Sequence, residues 1–185
     1  MRAYRILSKQ IFAKDIYCIV PIRSQDRLDI MNWRNEQIYH LRQKKPLTAE
    51  DQEFYFDNVI AKLFNENQPN QILFSYLEKG KCVGYGGLVH INWIDNHAEI
   101  SFVMNTALEK DFFKFHWKSF LQLLEQVAFH ELNFHKIYTY AFDIRPSLFE
   151  VLSKLNYLEE AILNEHVLIN GNYTNIRIHS KINKN

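Results

Sequence analysis

The chain has 185 residues, of which 47% are hydrophobic and 23% charged, the make-up of one ordinary globular domain; this excludes disordered, collagen-like and coiled-coil chains. Lys+Arg 22 against Asp+Glu 21 leaves a formal charge of +1, too balanced for a protein that gains its affinity by neutralising a phosphate backbone, so nucleic acid is not the expected partner. Two cysteines, Cys18 and Cys82, cannot make a zinc cluster by themselves and fit a reducing cytoplasm as small buried hydrophobes better than as a disulfide.

Met1 to Val20 is interrupted by Arg2, Arg5, Lys9, Lys14 and Asp15, so it holds no apolar core of signal-peptide length. No stretch approaches the ~18 consecutive apolar residues of a membrane span. A cytoplasmic protein with no membrane partner is expected. Residues 1–16 read as an N-terminal extension or an edge strand, ahead of a single domain over 17–182.

Tyr17 to Arg23 reads as a first strand, and Ser24 is expected to cap a helix carrying Leu28, Met31 and Trp33. Thr48-Ala49-Glu50-Asp51 has capping-box spacing and opens a second helix with Phe56, Ile60 and Leu63 on one face. Strands at 72–77 and 82–89 flank Lys79-Gly80 as a hairpin, and a third at 98–104 completes an antiparallel meander. Phe113, Trp117, Phe120, Leu124 and Val127 recur at three- and four-residue steps, the stripe of a long amphipathic helix. The next strand, at 136–142, follows a connection of helical length and is therefore expected to run parallel to its predecessor. Pro146 suits the first turn of a short helix, and Asn170-Gly171 the turn of a terminal hairpin between 161–167 and 176–182.

Only 5 glycines are present, which limits phosphate chemistry. Gly84, Gly86 and Gly87 lack the third spacing of a dinucleotide fingerprint, and Gly80-Lys81 is followed by Cys82 where a triphosphate loop needs Ser or Thr for magnesium. His130 to His135 is one residue too long to place both imidazoles on one helical face, so no metal site is expected. His90 and His97 flank the turn around Trp93 and read as turn and edge residues.

The order of elements, with Trp33-Arg34-Asn35, Val83-Gly84-Tyr85-Gly86 and Ala98-Glu99-Ile100-Ser101-Phe102 at their places in it, resembles the GNAT superfamily of acyl-CoA-dependent N-acyltransferases. The closest likeness is to the branch that acetylates ribosomal-protein N-termini and the amino groups of nucleotide-linked sugars, whose helix-to-strand passage is similar to Ala128 to Lys136. The resemblance implies an α/β fold with a mixed, mostly antiparallel sheet and helices on both faces. It also implies acetyl-CoA as co-substrate, lying in a V between two splayed strands, with backbone groups of Phe102, Val103 and Met104 holding the thioester and pantetheine. The family's pyrophosphate loop, counted back from Phe129, falls on Lys110 to Phe115, with Phe113 and Phe115 at its glycine positions and Lys110 and Lys114 keeping positive charge nearby. Its last motif falls on Arg145, Leu148 and Leu152, so the usual tyrosine acid is absent and Arg145 stands for a CoA phosphate or for solvent.

Acetyl transfer to an amine needs a base, and Glu99, between Ala98 and Ile100 on the third meander strand, is the candidate; the other reading is a strand carboxylate paired with His97 or an arginine. Tyr140 is the candidate acid, or a packed core tyrosine. Arg34, Tyr39, His40 and Arg42 form the expected acceptor patch, where arginines suit an anionic acceptor, or else a solvated basic loop. The expectation is direct acetyl transfer from acetyl-CoA to a small-molecule amine or an amino sugar on a nucleotide, without metal. A homodimer is left open. The alternative is a non-catalytic relative, or an enzyme with a different acyl donor, because phenylalanines replace the loop glycines.

Overall fold

Two tight turns set the sheet's register. Lys79 and Gly80 have φ of 47° and 83°, and Asn170 and Gly171 have 50° and 80°, so each two-residue loop takes the left-handed pair that matches strand twist. They join β3 (Ile72–Glu78) to β4 (Lys81–Asn92) and β7 (Leu158–Ile169) to β8 (Asn172–Ile182). The computed structural model describes residues 2–184. With β1 (Phe12–Lys14), β2 (Tyr17–Pro21), β5 (His97–Met104) and β6 (Lys136–Phe142), these strands form one sheet in the order β1-β2-β3-β4-β5-β6-β8-β7. Every neighbouring pair is antiparallel except β5 and β6, which a long helical crossover joins.

Helices cover both faces. Phe102 of β5 stacks on Phe120 of α4 (Glu109–Glu125) with ring centroids 4.0 Å apart, so α4 lies on that face. Val103, the next residue, points the other way by strand alternation and shares a face with its partner Tyr85, whose hydroxyl meets Arg34 of α1 (Arg27–Glu36). The second helix is α2 (Ala49–Tyr55), continued by a π-helical stretch Phe56–Ile60 and by α3 (Ala61–Leu63); α5 (Pro146–Lys154) follows β6. The capping box is formed, since Thr48 Oγ1 accepts from the Asp51 amide and the Asp51 carboxylate from the Thr48 amide.

One expectation changes. Ser24 does not cap α1: it opens a 3-10 turn, Ser24–Asp26, and no side-chain cap is made. The helix start is held instead by buried Asp26, which accepts from Ser75 Oγ at 2.6 Å and from Arg23 Nε at 2.7 Å. The segment before Tyr17 supplies the edge strand of the sheet, β1, and also packs inward. Tyr4, Leu7 and Phe12 belong to the main core, and Tyr4 Oη both donates to the Leu73 carbonyl and accepts from its amide. No helix of the described residues is long and apolar enough to cross a membrane.

Candidate active site

β5 and β6 pair only over His97–Glu99 and Lys136–Tyr138, after which they part. Each is held elsewhere. β6 pairs with β8 along its full length, while β5 stays with β4 from Glu99 to Met104. Glycine permits the second closeness, for a Cβ on Gly86 would collide with the Ser101 carbonyl and one on Gly84 would lie 3.0 Å from the Val103 oxygen. The result is a V with Glu99 and Tyr138 at its vertex.

Alternation decides which β5 groups are open to the V. The Asn105 amide donates to the Val83 carbonyl, so the amides and carbonyls of Val103, Ser101 and Glu99 also turn to β4, and those of Ile100, Phe102 and Met104 turn to the V. Gln37 Nε2 occupies the Met104 carbonyl at 2.7 Å. The ladder groups left without a strand partner are therefore the Ile100 carbonyl, both groups of Phe102 and the Met104 amide, since the parallel bridge between Glu99 and Tyr138 takes the Ile100 amide. Of the expected trio of Phe102, Val103 and Met104, Val103 turns to β4 and the other two face the V.

A cavity of about 730 Å³ opens from the V toward α1 and α2, with Glu99, Tyr140, Arg34, Arg42, Tyr55 and Tyr85 in its wall. Glu99 is 5% exposed. Its Oε1 accepts from Arg42 Nη2, and its Oε2 lies 3.9 Å from His90 Nε2. Burial raises its pKa above the ordinary carboxylate value, against the opposing pull of Arg42 and then of His90. The same Arg42 guanidinium lies 4.8 Å above the Tyr140 ring. One acceptor-patch residue thus joins the candidate base to the candidate acid. Glu99 pairs with an arginine rather than with His97, whose ring packs against Tyr138 at 5.9 Å.

Arg34 donates from Nη1 to Tyr85 Oη at 2.6 Å and from Nε to Gln43 Oε1 at 2.9 Å. His40 is pinned between Gln37 at 3.2 Å and Arg145 at 3.3 Å; burial, then the nearby Arg145 charge, brings its pKa down to about 3, so the ring is neutral at pH 7. Tyr39, half exposed, lies on the far side of this contact and lines a second cavity.

That second cavity, about 560 Å³, lies between the N-terminal ends of α4 and α5 and includes Lys110, Lys114, Phe113 and Arg145. Arg145 is committed to Glu109 at 2.8 Å and lies 4.8 Å over the Phe113 ring, while Lys114 pairs with Glu150. Because α4 begins at Glu109, Phe113 and Phe115 lie past its first turn, where amides are already bonded within the helix. The expected glycine positions of the phosphate cradle, Phe113 and Phe115, are thus helix interior, and in the segment before α4 the amides of Asn105, Ala107 and Leu108 are already taken by the Val83 carbonyl, Asn105 Oδ1 and the Asn105 carbonyl. Among the described residues no cluster of three or more metal-type ligands occurs.

A family model described as an acetyltransferase (GNAT) domain matches residues 19–177. No curated protein matches the sequence. Among solved structures, the spermidine N-acetyltransferase of Vibrio cholerae in complex with CoA and spermine is similar over 91% of this chain and 96% of its own, at 19% identity and a TM-score of 0.77. Mutant forms of the spermidine/spermine N-acetyltransferase SpeG of the same organism match over 91% and 95%, at 19% identity and a TM-score of 0.74.

Proposed function

This chain belongs to the GNAT acetyltransferase domain family, and from that premise we propose that it moves the acetyl group of acetyl-CoA to the amine of a small acceptor, with Glu99 as base. Acetyl-CoA is the co-substrate of such enzymes. The observation that carries the reading is the V itself: unpaired backbone groups at Ile100, Phe102 and Met104, on the same strand as the buried Glu99 carboxylate. An unpaired strand edge offers hydrogen bonds to an extended amide-bearing chain, which is the chemistry of a pantetheine arm.

The acceptor amine enters from the α1 and α2 side and loses a proton to Glu99 as its nitrogen bonds to the thioester carbon and the C–S bond breaks. A neutral amine is required for attack, and a buried carboxylate of raised pKa is a stronger base than an exposed one. Tyr140, on the opposite limb of the V, is positioned to protonate the leaving thiolate. Attack is direct, because burial and the nearby Asp26 push the Cys82 thiol up to about 12, leaving no thiolate to carry the acetyl group.

We assign the acceptor to amines that also carry an anion, such as an amino sugar on a nucleotide. Arg42 and Arg145 are each paired with a carboxylate, whereas Arg34 has no ion pair among the described residues and rests on neutral oxygens. A half-buried guanidinium of this kind suits a phosphate or carboxylate. The cavity's carboxylates are spoken for, Glu99 by Arg42 and Asp51 by the α2 cap, so it is a poor complement to a polycation. Thiol release from acetyl-CoA with UDP-glucosamine, 2-aminoethyl phosphate and spermidine tests this assignment. Faster release with the phosphate-bearing amines is expected, and a preference for spermidine contradicts it.

A further inference from the structure

We infer that His90 relays the proton from Glu99 to solvent, an inference that rests on Glu99 being the base. Any buried base faces the same difficulty: a proton taken from the acceptor must leave before the next turnover, and Glu99 opens only to the cavity that the acceptor fills, its other sides being closed by its own strand, by Arg42 from the loop before α2 and by Tyr138 from β6. Arg42 is always charged and cannot accept a proton. Burial, then the Glu99 charge, raises the Tyr138 hydroxyl pKa, so it holds its proton more firmly than a free phenol. Of the groups facing the carboxylate, the His90 imidazole is the one that can accept a proton on one ring nitrogen and give one up from the other.

The backbone brings it there. The β4–β5 register shifts between Val89 and Asn92, and His90, inside that irregularity, has φ of 49°. A bulge leaves a residue unpaired and re-aims its side chain, and the left-handed backbone is one that few non-glycine residues adopt. The outcome is a ring with Nε2 3.9 Å from Glu99 Oε2, the carboxylate oxygen that Arg42 leaves open, while the side chain stays 63% exposed. It touches the base on one side and water on the other. The gap exceeds a hydrogen bond and is closed by a small ring rotation or by one bridging water. In the relay, the proton lost by the acceptor nitrogen sits on Glu99, passes from Oε2 to unprotonated Nε2, and leaves as Nδ1–H gives its proton to water; the imidazole ends as its other tautomer and ring exchange restores it.

The test is His90→Asn, since Asn tolerates the left-handed backbone and the variant removes only the imidazole. The acetyl-transfer rate is measured with saturating acetyl-CoA and 2-aminoethyl phosphate, UDP-glucosamine or spermidine, with and without added imidazole at constant ionic strength. The expected result is a fall of about tenfold or more, recovered as imidazole concentration rises and not recovered by sodium chloride. An unchanged rate, or a fall that imidazole does not repair, overturns the relay. Glu99→Gln separates the two ideas: if it retains full activity, the base assignment itself fails, and if it is inactive while His90→Asn is not, only the relay fails.

Discussion

Glu99→Gln lowers the rate of acetyl transfer by about 10²–10⁴-fold, the range for losing a positioned base, while leaving acetyl-CoA affinity where it was. Gln keeps the size of the side chain and an oxygen for Arg42, so the V and the pantetheine edge at Ile100 and Phe102 are preserved. What it lacks is a site for the proton. The wild-type rate carries a second signature of the same group. Burial raises the Glu99 pKa, and only the carboxylate accepts a proton, so the rate climbs as pH rises through that raised value. The variant loses this acid limb. A pH profile of both proteins checks the shape as well as the size of the effect. Equal rates, or the same limb in both, remove Glu99 from the chemistry.

Phe102→Ala costs about 3–5 kcal/mol of folding stability, a large share of the roughly 5–15 kcal/mol that a domain has. The ring is 4% exposed, stacks on Phe120, and meets Trp117 edge-on at 5.0 Å and Tyr76 at 5.7 Å. It pins to α4 the strand whose backbone faces the V. Chemical denaturation of the purified variant measures the loss, and a change below about 1 kcal/mol would show that these rings do not hold β5 in place. The two variants differ in kind: one removes a proton site from an intact V, the other loosens the V while leaving the proton site in the sequence.

Features set by local chemistry were legible in the sequence. The hairpins at Lys79-Gly80 and Asn170-Gly171, the capping box at Thr48 and the α4 stripe each depend on residues a few positions apart, and all are present. The parallel crossover followed from the length of its connection. Long-range facts were less visible. That Arg42 would reach across 57 positions to Glu99, and that it would then lie over Tyr140, depends on where a loop lands. The parity of β5 required its register with β4, which turns Val103 to β4 and leaves the groups of Phe102 open. The start of α4 could not be counted from a motif whose glycines are missing. His90 read as a turn residue because a bulge that redirects a side chain leaves little trace in alternation. Arg34 reads as an acceptor candidate through the family resemblance and its residue type, and it lies in the cavity wall beside Tyr85.

On the proposed function, β5 and β6 part to hold acetyl-CoA although the family's loop glycines are replaced. Calorimetric titration of the purified protein with acetyl-CoA, with desulfo-CoA and a free adenine nucleotide in parallel, tests it most directly. Saturable binding of acetyl-CoA and desulfo-CoA, both tighter than the nucleotide, is the predicted result, since the backbone at Ile100 and Phe102 addresses the pantetheine arm. Heat no different from dilution at millimolar acetyl-CoA would contradict the account.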